Sequence, residues 1–274
     1  VIRSSTKWRL AVKILPISVG VVLLKFALHR FGWEAIHLNP IFPGLLAATV
    51  FLLGFLVSGV LTDYKESERL PGEIAVSLEA LAGEAGIVWR NKKAPEAMAC
   101  MKHVEEVSGG ILEWIRGESP FDRLMDRVTD LDRHLAALEP LAPPPFIVRM
   151  KQEQTSLRRQ LIRINVIRET SFIGSGYAIA EIISCLLILA FTLAMIEPFG
   201  ESLFIVGLIT FLLTYMLALI RDLDNPFDYT HDGRGGGEEV SLSPLEDVQG
   251  RIGRLIGAFD GVGRATGPPV DESP

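Results

Sequence analysis

"IFPGLLAATVFLLGFLVSGVL", residues 41–61, contains no charged side chain, and the next residues, "TDYKESE" (62–68), are mostly polar or charged. About 20 apolar residues in helical geometry match the hydrocarbon thickness of a bilayer. The run therefore reads as a transmembrane helix that ends where the charges begin. Working outward, residues 10–28, "LAVKILPISVGVVLLKFAL", form a second such run, interrupted only by Lys13 and Lys25 near its ends. Long lysine stems can snorkel to the headgroups, so both are expected to do so. No small-residue cleavage site follows, which favours a retained span over a signal peptide. Phe172–Ile196 and Leu203–Ile220 supply two more apolar runs.

These runs predict an all-α membrane protein with four transmembrane helices and a helical cytoplasmic domain between the second and third. The expected divisions are 1–61 with spans one and two, 62–170 as the cytoplasmic domain, 171–220 with spans three and four, and 221–274 as a cytoplasmic tail. Of the 274 residues, 49% are apolar and 22% charged, and the two kinds separate along the chain. A net charge of −6 offers no basic footprint for nucleic acid. Arg3, Lys7 and Arg9 flank the first span, and Arg158, Arg159, Arg163 and Arg168 precede the third. The loop "EPFGE" (197–201) has no Lys or Arg, so both termini and the central domain are expected in the cytoplasm.

The central segment reads as successive helices. Pro71-Gly72 is expected to open or kink one, with Ile74, Leu78, Leu81, Ala85 and Val88 on a single face. Pro95 suits a first turn ahead of Met98, Met101 and Val104. Gly109-Gly110 is expected to weaken that helix. Ser119 as N-cap and Pro120 at N1 start the next, which carries Leu124, Val128, Leu131, Leu135 and Leu138 at steps of four and three. "EPLAPPPF" (139–146) ends it. From Ile147 a helix can run into the third span, since no Pro or Gly intervenes before Gly174. In the tail, "NPFDYTHDGRGGGEE" (225–239) reads as loop, Ser243 and Glu246 as a capping box, and residues from Gly261 as disordered. Leu245, Val248, Ile252, Leu255 and Phe259 would share one face of the tail helix.

No catalytic constellation is present. The five histidines lack metal-ligand spacing, and "GRGGG" (233–237) lacks the strand and Lys-Ser/Thr of a phosphate loop. No enzyme activity, metal or cofactor is expected. Glu181, in "GSGYAIAEIISC" (174–185), is a candidate intramembrane ionisable site, with an interfacial position as the alternative. In the second span Leu45, Thr49 and Leu52 recur at helical steps. Repeated by symmetry around an axis, such a ring can gate ions by dewetting; packing against lipid or neighbouring helices is the alternative.

The layout and two motifs resemble the bestrophin family of ion channels, and within it the bacterial bestrophin-like proteins. "LLGF" (52–55) followed by "YKESERL" (64–70) is similar to that family's Phe-Leu-Gly-Phe and Tyr…Glu-Ala-Arg segment. "DLDNPFDY" (222–229) with "SLSPLEDV" (241–248) resembles its acidic Asp-Pro-Phe-Gly tail and downstream Leu-Pro-Leu. The resemblance implies a homo-oligomer, a pentamer, in a bacterial inner membrane, conducting small ions such as chloride along the second span. Motif matching places the ring at Gly44, Ala48 and Leu52, so Leu52 is common to both registers. Asp224, Asn225, Pro226 and Phe227 would turn the chain back and brace it, with Phe227 as the anchor. The continuous Asp run that holds calcium in animal members is lacking, so calcium gating is not carried over. A membrane-anchored scaffold that conducts nothing is the alternative function.

Overall fold

The helix that begins with the uncharged run continues far beyond it. In this computed structural model, which describes residues 8–37, 39–169, 174–224, 226–227, 229 and 239–265, helix α2 spans Ile41–Lys92. Around it, α1 is Arg9–Phe31, α3 Pro95–Ile115, α4 Phe121–Leu138, α5 Pro144–Glu169, α6 Gly174–Leu193, α7 Phe199–Asp224 and α8 Ser243–Ala265. Two-residue strands β1 (Ile36–His37) and β2 (Ala194–Met195) pair in parallel. Four helices (α1, α2, α6 and α7) are long and apolar enough to cross a membrane. The protein is an all-α membrane protein, as expected. The join between α5 and α6, expected to be helical, lies outside the described residues.

Contacts divide the chain into two units. Unit 1 comprises residues 1–65, 170–226 and 235–239, and unit 2 comprises 66–169, 227–234 and 240–274. In unit 1, α1 packs on α7 and α6, and α6 packs on α7. Leu53, Leu56 and Val60 of α2 enter one buried cluster with Leu187 and Phe191 of α6 and Val206 and Leu213 of α7. Close approach of α1 to α7 depends on Gly207, where an added Cβ would lie 3.0 Å from Val22. Small residues let membrane helices approach in this way.

Unit 2 is built on the remainder of α2 with α3, α4, α5 and α8, and it corrects several expectations. Pro71 does not open a helix; α2 runs through it. Proline removes the bond to the Ser67 carbonyl and crowds that carbonyl with its ring, and burial of Leu70, Ile74 and Leu78 beside it works against that cost. Helix α3 runs unbroken through Gly109 and Gly110 to Ile115. They make room: a Cβ on Gly110 would meet Arg127 Nη1 at 2.4 Å, and one on Gly109 would meet Gln249 at 3.2 Å. Helix α4 begins at Phe121 with Pro120 as N-cap, one residue later than expected, and no side chain caps it. All five of its apolar stripe residues are buried.

Helix α8 has no capping box either. The Leu242 carbonyl accepts the first backbone N–H groups, while Glu246 turns outward to Arg116 at 2.6 Å. Ile256 is buried where Leu255 was expected, and helix continues past Gly261 to Ala265. Along α5 and α2, Arg149 donates to Glu84 (2.5 Å), Ser77 to Glu153 (2.9 Å) and Arg163 to Glu66 (2.5 Å). Burial of Leu157, Leu161 and Ile164 completes this face of α5. Burial pushes the Cys100 thiol up to about 12, so it behaves as a core side chain rather than a nucleophile.

His134 stacks on His103 at 4.5 Å, and His103 Nε2 donates to the Arg127 carbonyl at 2.8 Å. Burial, and then the charges of His103 and Arg133, hold His134 below the ordinary imidazole value. The unfolded chain therefore takes up this proton more readily than the folded one. Stability from His134 is present above about pH 6.5 and is lost as pH falls through its lowered folded value. Protection of amides along α3 and α4, corrected for the pH dependence of intrinsic exchange, should be lower at pH 5 than at pH 7.5, and His134→Gln should shrink that difference. An unchanged difference would show that His134 plays no part.

Candidate functional site: the face of the second span and the charged ends of unit 1

From Ile41 to Thr62, α2 carries no charge, and its two sides differ. Thr49, Leu53, Leu56 and Val60 are buried in unit 1. Gly44, Ala48, Phe51, Phe55, Ser58 and Thr62 follow at alternating steps of four and three, and all are exposed. They therefore form one stripe of the helix. Phe51 and Phe55 are 78% and 61% exposed. Of the expected ring, Gly44 and Ala48 lie on this stripe, Leu45 is exposed beside it, and Leu52 is half-buried at its edge. Thr49 sits on the opposite side, 2% exposed, with its hydroxyl donating to the Leu45 carbonyl at 2.8 Å.

Where α6 starts and α7 finishes, charges meet. Arg221 donates to Glu181 Oε1 from Nε at 3.2 Å and from Nη2 at 2.5 Å. Tyr177 donates to Asp224 Oδ1 at 2.6 Å. Glu181, in the third turn of α6, is thus a partly exposed member of an ion pair with Arg221. Of the turn residues, Asn225 lies outside the described residues, as do Asp228, Thr230 and His231. Pro226 is buried, and Phe227 is 0% exposed. Tyr229 donates its hydroxyl to the Val240 carbonyl, tying the segment after the turn to the residues that lead into α8.

The other end of unit 1 holds an arrangement that the sequence did not suggest. Lys25 does not snorkel; it is 0% exposed. Its ammonium lies 2.5 Å from Glu34 Oε1 and donates to the Ala194 carbonyl of β2. A fully buried ammonium needs such compensation, because its desolvation is otherwise prohibitive. Glu34 also meets His29 Nδ1 at 3.0 Å, and the His29 ring stacks on Phe199 of α7 at 3.8 Å. Burial raises the Glu34 pKa, but hydrogen bonds and charges from Lys25 and His29 outweigh it and hold the carboxyl below its ordinary range. Lys25, Glu34 and the β1–β2 pair thus fasten α1 to the α6–α7 connection. Among the described residues no group of three His, Cys, Asp or Glu could hold a metal ion.

Together these features define a four-span, all-α membrane protein with a second helical unit. It is a bestrophin-like protein by fold. The chain is similar to the crystal structure of a variant of a bacterial bestrophin homologue from Klebsiella pneumoniae, with TM-score 0.72 and 16% identity over 91% of this chain and 99% of that one. A second variant of a Klebsiella pneumoniae homologue gives TM-score 0.69 and 15% identity over 94% of this chain and 100% of that one. A structure described as a membrane protein variant gives TM-score 0.72 and 14% identity over 91% and 98%. No family model and no curated protein matches the sequence.

Proposed function

We propose that the chain is an ion channel that passes small anions such as chloride through a pore lined by α2 of several copies, arranged as a pentamer. The exposed, uncharged stripe of α2 carries this reading. Two aromatic rings one helical turn apart, on a helix without charge, are suited to a constriction that opens and closes by wetting. Gly44, Ala48, Leu45 and Leu52 would continue the lining. Thr49, with its hydroxyl satisfied on the buried side, would support it from behind. Glu181 with Arg221, and Asp224 with Pro226 and Phe227, would brace the helix ends around it. The bacterial inner membrane, with both termini and residues 62–170 in the cytoplasm and the four-part division expected above, completes the proposal. The arginines of α5 support that orientation.

Purified protein in a planar bilayer under a chloride gradient should carry a current that reverses near the chloride equilibrium potential. In an active preparation, Phe51→Ala/Phe55→Ala should lower the dewetting barrier by about 1 kcal/mol and raise the current roughly fivefold. Reversal at the cation potential would overturn the anion assignment. Silence from folded protein would overturn the channel and favour the non-conducting scaffold.

A further inference from the structure

A cleft of about 380 Å³ opens between the start of α1 and the end of α7. Both helices are candidate membrane spans. Ile14, Ile17, Leu217 and Ala218 supply apolar walls. Lys13 and Arg221 line it where α1 begins and α7 ends. The two helices run antiparallel here, so the cations share one end and the apolar walls continue from them for about 6 Å, the rise of the four residues from Lys13 to Ile17.

Their electrostatic states differ. Arg221 already gives Nε and Nη2 to Glu181, which leaves Nη1 to reach a further acceptor. Lys13 is exposed and, among the described residues, forms no ion pair. A lysine one turn inside a span extends its stem toward the headgroup layer, where an anion can meet it. In a bilayer the anion at that depth is a lipid phosphate, and basic pockets between helices bind such headgroups.

We propose that this cleft binds one glycerophospholipid. The phosphodiester sits on Lys13 with Arg221 at its edge, and one acyl chain lies along Ile14, Ile17, Leu217 and Ala218. Of the two cations lining the cleft, Arg221 is already paired with Glu181 and Lys13 alone is left to meet a phosphate, so the site takes a lipid with a single phosphate. Binding here requires a membrane but not conduction, so it stands or falls apart from the channel.

Native mass spectrometry of the full-length protein in detergent tests this. The probes are phosphatidylglycerol, cardiolipin, diacylglycerol and inorganic phosphate. Wild type should retain one equivalent of phosphatidylglycerol that Lys13→Gln holds about fivefold less well. Lys13→Arg should restore it, and Ile17→Trp, which fills the cleft, should remove it. Diacylglycerol and inorganic phosphate should both be lost, and cardiolipin should bind no better than phosphatidylglycerol. Equal phosphatidylglycerol retention by wild type, Lys13→Gln and Ile17→Trp would overturn the site. Equal diacylglycerol retention would reduce it to an apolar groove, inorganic phosphate retention would show an anion site without a lipid, and preferred cardiolipin would refute the single-phosphate choice. A variant that loses oligomers but no lipid would assign the cleft to a second copy of the chain.

Discussion

Lys25→Met is expected to destabilise unit 1 by roughly 3 kcal/mol, because removing one partner of a buried pair leaves the other charge uncompensated. Lys25 is fully buried, and among the described residues Glu34 keeps only the half-exposed His29 as a partner once the ammonium is gone. The Ala194 carbonyl also loses its side-chain donor. Thermal denaturation in detergent, followed by loss of monodisperse protein, measures the change. The double variant Lys25→Met/Glu34→Gln should recover much of it, since removing both charges of a buried pair is often close to neutral. A single variant as stable as wild type would mean that Glu34 finds water or another cation, and that the pair does not fasten α1.

Phe227→Ala is the second large effect, expected at about 3–5 kcal/mol, the usual cost of emptying a buried phenylalanine site. The residue is 0% exposed and stands beside the turn at Pro226. The loss should fall on unit 2, to which Phe227 belongs, and limited proteolysis between residues 227 and 245 should accelerate. Phe227→Leu keeps most of the volume and should cost less than half as much. If alanine is tolerated as well as leucine, the acidic segment carries no anchor.

Much of the fold was legible because the signals were local. A run without charge fixes a span by length alone, and the stripe from Leu124 to Leu138 fixes the buried face of α4 by its period. The motifs after Leu52 and Asp222 pointed to the fold that the structural likeness bears out. What the sequence hid was relational. Lys25 looks like a residue that snorkels until its partners are placed, and one of them, Ala194, is 169 positions away. Gly110 looks like a weak point in a helix until Arg127 from α4 lies across it. Pro71 looks like a boundary because its cost is local, whereas the burial that offsets it comes from other helices. Phe51 and Phe55 were overlooked for another reason. In a run that is apolar on every side, periodicity gives no contrast between faces, and only packing reveals which one is left open.

The three contacts between α5 and α2 act as a vernier. Arg149 reaches Glu84, Glu153 receives Ser77, and Arg163 reaches Glu66, so the acid is on α2 at both ends and on α5 between them. Sliding α5 by one turn in either direction would break all three at once, whereas its leucines and isoleucines would find new apolar neighbours. Hydrophobic contacts set how strongly these helices adhere, and the polar scale sets where they stop. High salt screens exposed pairs, and should therefore loosen the register of α5 before it loosens the adhesion.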